Sequence, residues 1–527
     1  MFRSQNEAVI GKAKARGEAS EARAKSSSPT SSANTPSPSA EDLSNSVAIS
    51  SRGRVEDLDR LDLERGLSTD PQYYLEPGPL LPCLGPTLSE RGRGYFSSNS
   101  SMWLRNDSLV DELCLRADDN EPLLASISAV GLASYANSVH GPQLLNQARM
   151  DYVKALQLTN AALRSPTKVR KDSTLFSVMI LSIFEMIAGS NQHSLEAWTE
   201  HINGASALLK LRGPSQFRTR AGQQLFVMVT SNLMISCVQR TIPVPEHIIE
   251  LRRIAEEIME SDTWPAWQVS EVIFDFANYR AAVRDCQIVG PKAIIEAGLV
   301  VDRKFLAAFE HVPEDWKYRT AYTDQDDECV WNRRYDVYND DWAAQIWNGM
   351  RSCRILIHEI VRDQLLAAST AMNPIFTEEE SKEQNAQSVH AMLKMQADIL
   401  ATIPAYVPSR IDIRPSSLME GSRGYFVLWP LYMAGVMDLA TQQIKTWVIG
   451  RLRAISEQVG IRQASLLADI LETHRHVAAW DTKPAPRLRR DGTFFGWTPA
   501  SGVGTLRPDW WDESPPDETY YLRVGST

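Results

Sequence analysis

From Trp103 to about His476 the apolar residues return every three or four positions, the period of a helix and not of a strand. Leu124, Ile127, Val130 and Ser134 step in this way, and Leu144, Ala148, Tyr152, Ala155 and Leu156 continue it. Alternating runs of Val, Ile and Thr between turn signals are scarce, so no sheet is expected. No fixed short period recurs, which argues against a regular solenoid. The expected fold class is all-α.

Two segments set the centre of that fold. Phe176, Met179, Ile180, Ile183, Phe184 and Ile187 make a helix apolar on most faces, with Asp172 or Ser173 available to cap it. The next helix lines up Trp198, His201, Ile202, Ala205, Leu208 and Leu209 and stops at Gly213-Pro214. Further helices are expected near 219–238, 246–260, 266–289, 341–370, 378–402, 422–441, 443–458 and 461–476.

The two ends read differently. Residues 1–101 open with a mildly basic stretch and pass into SSSPTSSANTPSPSAEDLSNSVAISS, which has almost nothing to bury and is expected to be disordered. Low order is expected to continue to Ser101 through the Gly- and Pro-rich LEPGPLLPCLGPTLSERGRG. Ser28, Thr35 and Ser37 each precede a proline, which suits proline-directed phosphorylation and equally an unmodified linker. The helical body is placed at 102–478. Residues 479–527 form an irregular tail, because Pro484, Pro486, Pro499, Pro508, Pro515 and Pro516 forbid long helices. Trp497, Trp510, Trp511, Tyr520 and Tyr521 sit there among acids, the composition either of an activation segment or of a tail that packs its rings onto the body.

Composition excludes several functions. A net charge of -10 argues against the bulk of the chain being a nucleic-acid surface, since phosphate binding needs clustered Lys and Arg. The start lacks the apolar core of a secretory signal. The stretches Phe176–Gly189 and Tyr425–Ala440 are shorter than the roughly 20 residues that span a bilayer, and each carries an acid, Glu185 and Asp438. No membrane partner is expected. Cys83, Cys114, Cys237, Cys286, Cys329 and Cys353 are all far apart, so no zinc knuckle is present and reduced thiols are expected.

A search for catalytic chemistry nominates nothing. Neither phosphate-cradling glycine motif occurs. His358-Glu359-Ile360-Val361-Arg362 begins like a zinc-protease helix, but Arg362 stands where the second ligand would be. Gly204-Ala205-Ser206-Ala207-Leu208 lacks the closing glycine of a nucleophile elbow. His201 is the most tempting titratable residue, and a histidine on an apolar stripe is most often a hydrogen-bonded core residue. No catalytic, cofactor-binding, metal or DNA-reading residue is assigned, no cofactor is expected, and the chain is not read as an enzyme.

Five blocks carry a resemblance. They are KDSTLFSVMILSIFEMIAG, EAWTEHINGASALLKLRGPSQF, WNGMRSCRILIHEIV, RGYFVLWPLYMAG and IGRLRAISEQVGIRQASLLADIL. Their succession, over roughly residues 115–476, resembles the regulatory domain of fungal zinc-cluster transcription factors, whose DNA-binding end is a six-cysteine binuclear zinc module. Met1-Phe2-Arg3-Ser4-Gln5-Asn6-Glu7 resembles the second half of the bridge that follows such a module. The first cysteine is Cys83, so the module itself is expected to be absent from this chain, and no DNA-reading residue carries over.

The resemblance implies a nuclear transcription regulator, pathway-specific and of the kind often assigned to secondary-metabolite gene clusters. Other transcription regulators or co-activators are the implied partners, in homo- or heterodimers, with DNA contacted indirectly or through a zinc module not in the chain. A non-DNA-binding modulator that pairs with a zinc-cluster relative, or a helical small-molecule binder, are the alternatives. For the last, Gly421-Ser422-Arg423-Gly424-Tyr425-Phe426 with Trp429-Pro430 is a candidate lining, set against plain core packing around a Pro430 kink. Arg351 and Arg354, near Trp347, can hold an anion or pair with neighbouring acids.

Overall fold

The computed structural model describes residues 86–98, 113, 120–259, 264–339, 341–371, 374–407, 409–410, 424–473, 486–488 and 494–496. The Ser/Pro tract, the basic start, Cys83, Cys114 and the acid-embedded aromatics from Trp497 to Tyr521 lie outside these residues. Helices dominate: α1 (Leu88–Ser98), α2 (Glu121–Ser138), α3 (Pro142–Arg164), α4 (Asp172–Ala188), α5 (Gln192–Arg212), α6 (Arg220–Arg240) and α7 (Glu246–Ile258) come first. Then follow α8 (Trp264–Arg284), α9 (Pro291–Glu310), the strands β1 (Tyr318–Tyr322) and β2 (Arg334–Tyr338), α10 (Asp341–Ser369) and α11 (Glu378–Thr402). The series closes with α12 (Gly424–Val436), α13 (Gln442–Ala454) and α14 (Gln463–Thr473). The protein is all-α in class.

Helix α4 is central for the reason its sequence gives: from Ser173 to Phe184 every side chain is buried, and it packs on α2, α3, α5, α6 and α14. Neither Asp172 nor Ser173 caps it, since Lys171 holds the cap position without a side-chain bond. Asp172 sits in the first turn, where the helix dipole favours an acid, and pairs with the buried Arg212 at the far end of α5. Helix α5 starts on Asn191, whose side chain accepts from the Ser194 amide, and ends at Gly213 with φ of 62°.

The second half is organised by α10, which packs on α8, α9, α11, α12 and β2. Helix α11 opens with a capping box between Thr377 and Glu380. One apolar cluster runs through the whole body, from Phe96 to Leu471. Among the described helices, Arg220–Arg240 is long and apolar enough to cross a bilayer, with 61% of that window covered by the rest of the protein, as in a core helix.

Four features depart from the sequence expectation. The low-order stretch before Ser101 contains α1, whose Phe96 is buried against α2. That contact rests on two glycines: a Cβ on Gly131 would lie 1.9 Å from the Gly92 carbonyl oxygen, and one on Gly92 2.5 Å from the Ser128 carbonyl oxygen. An antiparallel hairpin, β1 with β2, corrects the expectation of no sheet, and Pro486–Leu488 pairs with Phe494–Gly496. Helix α9 was not anticipated, although Pro291 at its start and the buried Ile294, Ile295, Val301 and Phe305 mark it. Finally, α13 ends at Ala454, runs into a π-turn over Ile455–Val459, and is stopped by Gly460 at φ 78°.

Candidate functional site

His201 falls between α3, α4 and α5. Its Nε2 lies 3.1 Å from the Tyr152 hydroxyl, which in turn lies 2.5 Å from Glu185 Oε1. The protons sort in one direction: Nε2–H donates to the tyrosine oxygen, and the tyrosine donates to the carboxylate. Burial pushes His201 down to about 4, keeping the imidazole neutral at physiological pH. Burial also raises Glu185, opposed by the bonds from Tyr152 and Ser194. The Tyr152 ring stacks on Phe184 with centroids 4.2 Å apart. Every polar hydrogen of this chain is committed within it, so the arrangement fixes three helices together. The expectation of a hydrogen-bonded core histidine matches this geometry.

Arg351 and Arg354 separate into two roles. Arg354 makes a two-pronged pair with Asp302 of α9, Nε to Oδ1 at 2.6 Å and Nη2 to Oδ2 at 3.1 Å. His358, one turn on, lies 3.4 Å from the same carboxylate and 3.1 Å from Ser388 Oγ. Burial pushes Asp302 up, but the bonds from His358 and Arg354 outweigh it and hold the acid at about 2. Arg351 is fully buried, donates to Asn348 Oδ1 at 2.9 Å, and faces the rings of Tyr318 and Trp347 at 5.1 and 5.5 Å. Burial opposes its charge; Tyr338, Tyr318, Asp398 and Asp336 together more than restore it. Nearby, Arg334 of β2 reaches Asp398 of α11 at 2.7 Å. The hairpin is thus fastened to α10 and α11 by charge.

Along α10 the residues of the truncated zinc-protease pattern are engaged in polar contacts with α11 and the segment after α12. Arg362 donates to Asn385 Oδ1 at 2.6 Å and lies 3.4 Å from Asp438. Glu359 is pushed up to about 8 by burial first, then by Asp438 and Asp363, against the Asp438 amide and Arg280. Among the described residues, no group of three or more His, Cys, Asp or Glu is placed to hold a metal ion.

The glycine–aromatic string belongs to α12, except that Gly421, Ser422 and Arg423 lie outside the described residues. Tyr425 donates to Asn232 Oδ1 of α6 at 3.0 Å, Trp429 stacks on Tyr432, and Pro430 is buried inside the helix. These residues pack helices together. The partners Tyr152, Asp302, Asp336 and Asp398 were not foreseen, because each lies on a different helix or strand from the residue it answers.

Comparison with known proteins bears on one part of this body. Residues 108–239 match the family model described as the fungal specific transcription factor domain. An uncharacterized protein of Emericella nidulans is 29% identical over 131 residues, which are 25% of this chain and 27% of the relative. The chain therefore matches only about a quarter of that relative's length. No solved structure matches. The matched span takes in α2 to α6, including the Tyr152–Glu185–His201 chain, so the similarity to the fungal specific transcription factor domain lies in these helices.

Proposed function

We propose that the helical body is the regulatory part of a nuclear transcription regulator of the fungal zinc-cluster type, acting on a pathway-specific gene set. The match of residues 108–239 to the fungal specific transcription factor domain carries this reading. The body supplies what a regulatory domain needs physically: a helical mass in which the pairs Arg354–Asp302 and Arg334–Asp398 are spent on packing. The net charge of the chain, -10, supports DNA contact through a separate zinc module or a partner regulator. Control of a secondary-metabolite gene cluster is the target class we favour, by resemblance to the family.

The test is recruitment. The full chain, fused to a heterologous DNA-binding domain, should change expression of a fungal reporter several-fold, and a fluorescent fusion should enter the nucleus. A reporter that does not respond, with a fusion that stays outside the nucleus, would sink the reading. A gel-shift with the chain alone then separates direct from partner-borne DNA contact, by whether binding is tight and salt-sensitive.

A further inference from the structure

Helix α9 has two different faces. One buries Ile294, Val301, Phe305 and Phe309 as the helix packs on α8 and α10. The opposite face carries a seven-residue repeat of its own: Ala293, Val300 and Ala307 are all exposed, Val300 to 44%. Beside them run Glu296, Arg303 and Glu310, also seven apart, also exposed, and alternating in sign. Lys292 lies on that same edge, whereas Lys304, on the other edge, is held by Asp275 at 2.6 Å. An apolar period of seven keeps one seam of a helix turned toward a second helix wound beside it. That seam here faces solvent.

The charges fit a second copy of the same helix. Let two copies of α9 lie antiparallel with their two-fold axis at Val300. Residues equally far from Val300 on either side then oppose each other. Glu296 meets Arg303 of the second copy and Lys292 meets its Glu310, each contact occurring twice by symmetry. All four residues fall on one edge of the seam, as a two-fold axis requires. Ala293 and Ala307 come together on either side of the central valines, and their single methyls let the helices approach closely. A parallel pair would set Glu296 against Glu296 and Arg303 against Arg303, like against like.

We infer that the open face of α9 is a self-association surface, on which two copies of this chain pair antiparallel about Val300. Its area sets the strength. The 20 residues of α9 make a helix about 30 Å long. One face of such a helix covers roughly 400–500 Å² per copy, short of the ~800 Å² per partner of a standard stable interface. The dimer is therefore weak, with a Kd on the order of 100 µM, and its rim ion pairs make it salt-sensitive. The pairing does not depend on the regulatory reading.

The experiment is sedimentation equilibrium of the full chain from about 5 to 300 µM, with thermal unfolding of each variant as the control for folding. The parent should pass from monomer toward dimer over that range. Val300→Glu, at an exposed position, should leave a monomer throughout with an unchanged thermal midpoint. Glu296→Arg places a base opposite Arg303 of the second copy and should weaken the dimer roughly fivefold to tenfold. Adding Arg303→Glu to it exchanges the two signs and should restore the parent's affinity, a rescue that only this register gives. A parent that stays monomeric at every concentration would overturn the proposal, leaving the face to solvent, to another part of the chain or to a different protein. A dimer that survives Val300→Glu, or a double variant that stays as weak as Glu296→Arg, would overturn it as well.

Discussion

At the scale of single residues, the buried titratable groups give the protein opposite responses to acid and alkali. His201 is held at about 4 when folded and titrates at its ordinary value when unfolded. The unfolded chain therefore binds more protons as pH falls through the interval from 6.5 to about 4, and stability drops by up to about 3 kcal/mol over it. Urea unfolding of the His201→Gln variant, which keeps a donor for Tyr152 but cannot titrate, should show that part of the loss gone. Glu359 works the other way: held at about 8, it favours folding at low pH and costs stability as pH rises from 4.5 toward 8. Glu359→Gln should be more stable than the parent at pH 8 by about 1–2 kcal/mol, the side chain being partly exposed. Arg354 and Asp302 illustrate a third case. Arg354→Ala strands a buried carboxylate and should cost about 3–5 kcal/mol, while a double replacement of Arg354 and Asp302 by Met and Leu should recover most of it.

At the scale of elements, the pattern of three and four located nearly all the helices, because an amphipathic helix writes its buried face into one local stretch. The start of α11 at Glu378 is equally local, set by the capping box of Thr377 and Glu380. What stayed illegible was set by non-local contact. Helix α1 is a short run, LSERGRGYFSS, whose glycines read as a breaker in isolation and serve instead to let two backbones touch. The β1–β2 hairpin is held by Arg334, Asp336 and Asp398, charges that carry no strand signal. The candidate residues followed the same rule: His201 was visible on its stripe, but Tyr152 and Glu185 become its partners only once α3 and α4 are folded against α5. Replacing Gly131 by Leu should prise α1 from α2; hydrogen exchange of residues 88–98 should then become fast, with α10 to α12 unaffected.

At the scale of the whole molecule, the segment that matches the transcription factor domain does not close on itself. Asn137, near the end of α2, donates to the Ile187 carbonyl at 3.1 Å and to the Gly460 carbonyl at 2.6 Å. Arg462 returns a bond to Asn137 Oδ1 at 3.2 Å, and α14 packs on α4. Gly460 is needed there twice over, for its positive φ and because a Cβ would lie 2.7 Å from that of Asn137. Residues 108–239 expressed alone should accordingly be far less cooperative in thermal unfolding than the full chain, and Gly460→Ala should lower the midpoint of the full chain by several degrees. The same tie has a consequence for synthesis. A ribosome must add more than 320 residues after Asn137 before its last partner leaves the exit tunnel. At roughly 5–20 residues per second that is an interval of tens of seconds, during which the oldest helices wait without their last partner.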